Sequence, residues 1–132
     1  MHYLSLEDIL AIRDALAAAR KKQGDGDRYA IRNVNGLMSA LNAPSRTAFG
    51  AVFYPTLVEK AGALVYALVQ NHPFYDGNKR IASAALRLFL ERNGVSFSAS
   101  QQELQQFTRQ IALGVLRDDA VAQWVQQHVK QS

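Results

Sequence analysis

Two apolar segments with helical spacing enclose a short polar stretch in the middle of the chain, and this arrangement restricts the fold more than any other feature. In the first segment, apolar side chains recur at i, i+4, i+7, i+8 and i+11, namely at Leu57, Ala61, Leu64, Val65 and Leu68. In the second, one helical face carries Ile81, Ala84, Ala85, Leu88 and Phe89. The spacing predicts two buried central helices. The first begins at Pro55, which suits a first helical turn, and ends near Asn71, while Asn93-Gly94 stops the second.

The flanking segments predict a single, mostly helical domain over residues 1–132. Ser5 and Asp8 have the spacing of a capping box at the start of a first helix. That helix fades in RKKQGDGDR, residues 20–28, where the basic cluster Arg20–Lys22 forms a solvated helix end. Further helices are predicted at Ile31–Leu41, ending before Pro44, at Gln101–Leu113 and at Asp118–Lys130. VSFSAS, residues 95–100, is predicted to be extended.

The segment SRTAFGAVFYP, residues 45–55, lacks helical spacing and contains three aromatic residues and Gly50. This pattern predicts an extended loop or a small hairpin. Exposed aromatic side chains would make it a binding flap, whereas inward-facing ones would make it a cover for the core. The pattern by itself leaves both interpretations open.

The composition narrows the possible functions. The chain has 132 residues and no cysteine, which excludes disulfides, thiolate metal sites and a cysteine nucleophile and fits a reducing cytoplasm. No apolar run approaches the roughly 20 residues needed to span a bilayer, and no secretory leader is evident. The net charge of +4 favours anionic partners such as nucleotides, RNA or an acidic protein, and it serves solubility equally well.

The polar stretch NHPFYDGNKR, residues 71–80, carries the candidate chemistry. Asn78, Lys79 and Arg80 fall in the first turn of the second central helix, where free backbone N–H groups and the helix dipole favour an anion. Gly77 lets a ligand approach the backbone closely. Cations in a first turn oppose the dipole, and a bound phosphate removes this conflict. Without a ligand, the side chains of Lys79 and Arg80 would extend into water.

Three more residues of this stretch complete the hypothesis. Asp76 is either a ligand for Mg²⁺ beside a phosphate or the N-cap of the helix. His72 is a candidate general base, because an imidazole can accept a proton at neutral pH, although a lone histidine more often makes a local hydrogen bond. Phe74 is expected to anchor the loop in the core. This combination of a base, a metal ligand, an anion cradle and an anchor indicates the transfer of a nucleotide phosphate.

HPFYDGNKR resembles the signature of the Fic/Doc family, His-Pro-Phe-x-Asp/Glu-Gly-Asn-Gly/Lys-Arg. YLSLEDILAI, YPTLVEKAGAL and LFLERNGV resemble the death-on-curing (Doc) branch, so the likeness extends over nearly the whole chain. The resemblance implies a compact, all-helical Fic core with the motif loop between its central helices. It also implies a toxin of a type II toxin–antitoxin pair that acts in the cytoplasm.

The resemblance assigns roles to individual residues. It makes His72 the general base that deprotonates a target hydroxyl and Asp76 the ligand of Mg²⁺. Asn78 and Arg80 would hold the phosphates of ATP, and Gly77 would shape the anion hole. The flap that aligns the target peptide corresponds to Thr47–Tyr54, with the contact residues Thr47, Phe49, Gly50, Phe53 and Tyr54.

Lys79 separates two reactions within this resemblance. Adenylylating Fic enzymes usually have glycine there and a second arginine three residues after the first, where this chain has Ser83. Doc-like toxins share the lysine, bind ATP in a reversed orientation and transfer its γ-phosphate to a threonine of elongation factor Tu, which stops translation. The resemblance therefore implies a protein kinase, with adenylyl transfer or a degenerate Fic-fold binding module as alternatives. Some Doc-like toxins carry alanine at the position of Gly77, and this departure is expected to be minor.

Inhibition is expected to come from a partner. The chain contains no clear Ser/Thr-x-x-x-Glu-Gly/Asn inhibitory helix. The resemblance implies a Phd-like antitoxin whose C-terminal segment folds on binding, received by the apolar and basic face of the N-terminal helices. No direct contact with nucleic acid or membrane is expected.

Overall fold

The computed structural model describes residues 1–21 and 29–131. Within them the helices are α1 (Leu6–Lys21), α2 (Val34–Asn42), α3 (Leu57–Gln70), α4 (Asn78–Arg92), α5 (Gln101–Ala112) and α6 (Asp119–Gln127). The short strands β1 (Thr47–Ala48) and β2 (Ala51–Val52) pair antiparallel, as do β3 (Val95–Phe97) and β4 (Val129–Gln131). The prediction of an all-α bundle with a short extended flap is confirmed.

The two predicted central helices, α3 and α4, pack against each other and contribute 11 of the 24 buried residues of the described hydrophobic core. The buried face of α4 consists of Ile81, Ala82, Ala85, Leu86, Phe89 and Leu90. Leu88 is half-buried and packs against the core, as predicted, whereas Ala84 is only half-buried, so placing Ala84 on the buried face was wrong. The face is displaced because α4 contacts α1, α5 and β3 as well as α3.

Local capping sets the starts of α1 and α3. The predicted capping box of α1 is confirmed: the Ser5 N–H donates to Asp8 Oδ2 at 2.8 Å, and the Asp8 N–H donates to Ser5 Oγ at 3.2 Å. The prediction that Pro55 lies in the first turn of α3 was wrong. Thr56 is the N-cap and forms a reciprocal capping box with Glu59, so Pro55 precedes the helix.

The second helix begins later than predicted. Its N-cap is Asn33, whose side chain accepts a hydrogen bond from the Gly36 N–H at 2.9 Å. Ile31 instead forms a β-bridge with Phe74 of the polar loop. Pro44 lies in a 3₁₀ turn, Ala43–Ser45, that directly follows α2.

The prediction of a last helix over Asp118–Lys130 was wrong at its C-terminal end. α6 ends at Gln127, and the following residues pair as β4 with β3, with Val129 opposite Phe97. The extended segment after α4 is confirmed, and so is the helix stop, because Gly94 adopts a φ of +82°. The predicted end of the first helix, including the basic cluster Arg20–Lys22, lies outside the residues and side chains that are described. None of the described helices is long and apolar enough to cross a bilayer.

Candidate active site

The polar loop between α3 and α4 closes on itself around a buried anchor. The Phe74 side chain is fully buried, as predicted. Both ends of the Asn78 amide hold the Phe74 backbone: Oδ1 accepts from its N–H at 2.9 Å and Nδ2 donates to its carbonyl at 2.8 Å. The structure therefore gives the Asn78 side chain, predicted to hold phosphate, a bracing role, and leaves its backbone N–H at the start of α4 for a ligand.

A second segment of the chain braces the loop from outside. The Tyr75 N–H donates to the Ala30 carbonyl at 3.0 Å. The N–H groups of Arg32 and Asn33 both donate to the Pro73 carbonyl, at 2.8 and 3.0 Å. The sequence missed this contact because residues 31–33 were predicted to be helical. The signal that could have found it is Asn33, a good N-cap that would have placed the helix start after it.

His72 has a strained backbone that an arginine holds in place. Its φ of 48° lies in the left-handed region, which costs a non-glycine residue on the order of 1–3 kcal/mol. The Arg32 guanidinium donates two hydrogen bonds to the His72 carbonyl, from Nε at 3.0 Å and from Nη2 at 2.8 Å. The imidazole is exposed. An exposed histidine on a strained, doubly held backbone fits a catalytic group better than a structural one.

A cavity of about 310 Å³ brings the predicted motif residues together. Its lining includes His72, Asp76, Gly77, Asn78, Lys79 and Arg80. The other lining residues are Tyr29, Val69 and Ala112. Lys79 and Arg80 are exposed in the first turn of α4, where the helix N-terminus adds its partial positive charge. The cavity is thus a strongly cationic site that also carries one carboxylate and one imidazole.

Gly77 is required where it stands. It is the N-cap of α4, with a φ of +80°. A Cβ at this position would lie 2.7 Å from both Cε1 and Cζ of Tyr29. The expectation that alanine would be a minor departure was therefore wrong for this chain, because the Tyr29 ring occupies the space that a methyl group needs.

Asp76 is not the helix cap. Gly77 holds that position, and as a glycine it gives α4 no side-chain capping hydrogen bond. The Asp76 carboxylate, half-buried, accepts a hydrogen bond from the Gly77 N–H at 2.7 Å. The described residues contain no group of three or more acidic or histidine side chains able to hold a metal ion. A single carboxylate beside a phosphate site fits Mg²⁺, which takes most of its ligands from water and phosphate oxygens.

Ser83 lies one turn further along α4 and is not part of the anion site. Its hydroxyl donates to the Lys79 carbonyl at 2.8 Å, within the helix. The position at which an adenylylating Fic enzyme has its second arginine therefore carries a small neutral group.

The predicted flap is a short β-hairpin, in which a two-residue turn joins β1 to β2. Phe49 and Gly50 both have positive φ values, 53° and 78°, as a tight primed turn between β1 and β2 requires. Phe49 is fully exposed and Phe53 is 45% exposed, whereas Tyr54 is half-buried. Thr47 pairs with Val52 across the hairpin. The exposed tip favours a binding flap over a cover for the core.

The base of this hairpin is held by a buried lysine. Lys60 of α3 is 6% exposed, and its ammonium donates to the carbonyls of Tyr54 at 2.5 Å and Pro44 at 3.3 Å. A second, larger cavity of about 790 Å³ lies beside the base, lined partly by Arg46, Phe53 and Tyr54. That cavity lacks the motif residues, so the chemistry places the candidate active site in the smaller one.

Comparison with known proteins agrees with this geometry. The profile of the Fic/DOC family matches residues 3–90, which include the flap, α3, the polar loop and most of α4. Toxin Doc from Mycolicibacterium smegmatis (strain ATCC 700084 / mc(2)155) is 37% identical over 97 residues, which cover 74% of this chain and 68% of that protein. The chain belongs to the Fic/DOC family.

Proposed function

We propose that the chain is a Doc-like toxin that transfers the γ-phosphate of ATP to a hydroxyl group of a protein. One observation carries the proposal. The cavity at the start of α4 joins an imidazole, a carboxylate and two cations beside the first-turn backbone N–H groups, which have no acceptor within the helix. This is the set of groups that phosphoryl transfer uses.

In the proposed reaction, His72 accepts the proton of the acceptor hydroxyl. The acceptor oxygen forms a bond to the γ-phosphorus, the bond from that phosphorus to the β,γ-bridging oxygen breaks, and ADP leaves. The N-terminus of α4, with Lys79 and Arg80, stabilises the charge that develops on the transferred phosphoryl group. The flap holds the segment of the acceptor protein that carries the hydroxyl.

Asp76 would hold Mg²⁺, which neutralises phosphate charge and orients the phosphate oxygens. The half-buried carboxylate supports this role because it lines the same cavity as the cations. We expect Asp76→Asn to raise the Mg²⁺ concentration needed for half-maximal transfer. A Mg²⁺ titration of both proteins checks this, and an unchanged midpoint together with unchanged activity would remove Asp76 from the metal site.

Lys79 and Ser83 support γ-phosphate transfer over adenylyl transfer. Lys79 fills space at the cradle with a charged side chain, and Ser83 supplies no second guanidinium. The proposed acceptor is a threonine of elongation factor Tu, in the cytoplasm, with translation arrest as the result. The proposed inhibitor is a Phd-like antitoxin, since the curated relative is named as a toxin.

Parallel labelling tests the proposal. A bacterial lysate is incubated with the protein and with ATP labelled at the α or the γ phosphorus. We expect γ label on a protein band, no α label, and added phosphate on threonine by mass spectrometry. Transfer of α label would favour the adenylyltransferase instead, and transfer of neither would favour a binding module.

A further inference from the structure

Tyr29 is a buried polar residue in the candidate active site that neither the motif nor the family resemblance includes. It is 2% exposed, yet it lines the cavity at the start of α4. Its backbone carbonyl accepts a hydrogen bond from Arg13 Nη1 at 3.3 Å. Among the described residues, no group forms a hydrogen bond with its hydroxyl. A buried hydroxyl without a partner costs free energy, so buried tyrosines usually find one.

The hydroxyl end of the ring lies at the helix N-terminus. The atoms nearest to an ideal Cβ on Gly77 are Cζ, Cε1 and Cε2 of Tyr29, at 2.7 to 3.0 Å. These are the ring carbon that bears the hydroxyl and its two neighbours. The phenol group therefore adjoins the residue that caps α4, close to the backbone N–H groups that the helix leaves unpaired.

We propose that Tyr29 is a phosphate-binding residue whose hydroxyl donates a hydrogen bond to a phosphate oxygen seated on the N-terminus of α4. The ligand is the polyphosphate group of a nucleotide, and in this respect the inference rests on the proposed function. A phosphate oxygen supplies the acceptor that the hydroxyl does not find among the described residues, and the cations Lys79 and Arg80 share the same cavity. Hydrogen bonds to a charged acceptor are stronger than those between neutral groups.

The same geometry explains the glycine that caps α4. Only a residue without a Cβ leaves room for the Tyr29 ring. Gly77 and Tyr29 are therefore a matched pair, in which the backbone gives space to a side chain that completes the anion site.

Binding measurements without turnover test the proposal. Calorimetry compares wild type, Tyr29→Phe and the control Tyr66→Phe, whose ring lines the larger cavity. The ligands are ATP, inorganic tripolyphosphate and adenosine. We expect Tyr29→Phe to weaken ATP and tripolyphosphate about tenfold, or about 1.4 kcal/mol, and to leave adenosine unchanged. The melting temperature should not fall, because the hydroxyl bonds no described protein group.

Three results would overturn the assignment. These are unchanged affinity for ATP and tripolyphosphate in Tyr29→Phe, an equal loss with adenosine, and a wild type that binds neither phosphate ligand. The labelling experiment remains separate. If tripolyphosphate binding depends on the Tyr29 hydroxyl but no label is transferred, the proposed function fails and the phosphate site stands. If label is transferred and Tyr29→Phe binds ATP and tripolyphosphate normally, the proposed function stands and the assignment of Tyr29 fails.

Discussion

The flap precedes helix α3 in the chain and the polar loop follows it, and the two segments are held in different ways. The loop is tied at many points: by the Asn78 amide, by the backbone of residues 30–33 and by the Arg32 guanidinium. The flap is tied at its base, where Lys60 binds two carbonyls, while its tip carries a fully exposed Phe49. The difference teaches that the groups proposed for chemistry are preorganised, whereas those proposed for target binding remain free to adapt.

The largest effect is expected from removing the proposed base. His72→Ala should lower γ-phosphate transfer by roughly 10² to 10⁴, the usual contribution of general-base catalysis, and should leave ATP binding and folding intact. Transfer rates with labelled ATP and calorimetric ATP binding check this. Wild-type rates in the variant would remove His72 from the mechanism and leave the bracing of the loop without a catalytic reason.

Next in size is the effect of loosening the loop. Arg32→Ala removes both hydrogen bonds to the His72 carbonyl, and we expect a roughly 10- to 100-fold lower kcat, because small displacements of a catalytic group are costly. ATP affinity should not change, and Arg32→Lys should restore part of the rate.

Arg87→Ala is the matched control for this variant. Arg87 also grips two backbone carbonyls, those of Phe97 and Ala99, but away from the cavity. Equal losses of kcat in the two variants would show that Arg32 acts through general stability.

Loosening the flap should act on binding of the acceptor. Lys60→Met leaves the carbonyls of Tyr54 and Pro44 without their donor, which frees the base of the hairpin. We expect a few-fold higher KM for the protein acceptor, with kcat nearly unchanged. If kcat falls as it does in Arg32→Ala, the flap is part of the rigid catalytic unit and the contrast between the two regions is wrong.

The smallest effect is expected outside both regions. The Arg92 guanidinium, hydrogen-bonded to Asp8 at 2.7 and 2.8 Å, holds the pKa of that carboxyl well below its usual range. Because the pKa is lowered in the folded state, Asp8 stabilises the fold at pH values above the ordinary aspartate pKa of about 3.9. This contribution is lost as the pH falls below that value.

Asp8→Asn should therefore lower the melting temperature by a few degrees at neutral pH. In acid, the melting temperatures of the variant and the wild type should converge. Melting curves against pH check this. A gap that persists unchanged into strong acid would mean that the ion pair is not its source. Transfer activity below the melting temperature should be the same in both proteins.

The sequence was most reliable where structure depends on neighbours in the chain. The capping box of Ser5 and Asp8, the glycine stop at Gly94 and the helical spacing of α3 are local signals, and all appear in the structure. The start of α2 and the end of α6 were misplaced. There, the chain satisfies backbone donors and acceptors by pairing with distant segments, Ile31 with Phe74 and β4 with β3.

The sequence by itself determined which groups the candidate site contains. The order of polar residues in NHPFYDGNKR, followed by a helical period, places an imidazole, a carboxylate and two cations at a helix start whatever surrounds them. Only the tertiary structure decided which distant residues complete that site. Arg32 lies 40 positions before His72 in the chain, and Tyr29 lies 48 positions before Gly77. They reach the site because a strained loop and a helix end must find hydrogen-bond partners and packing wherever the fold supplies them.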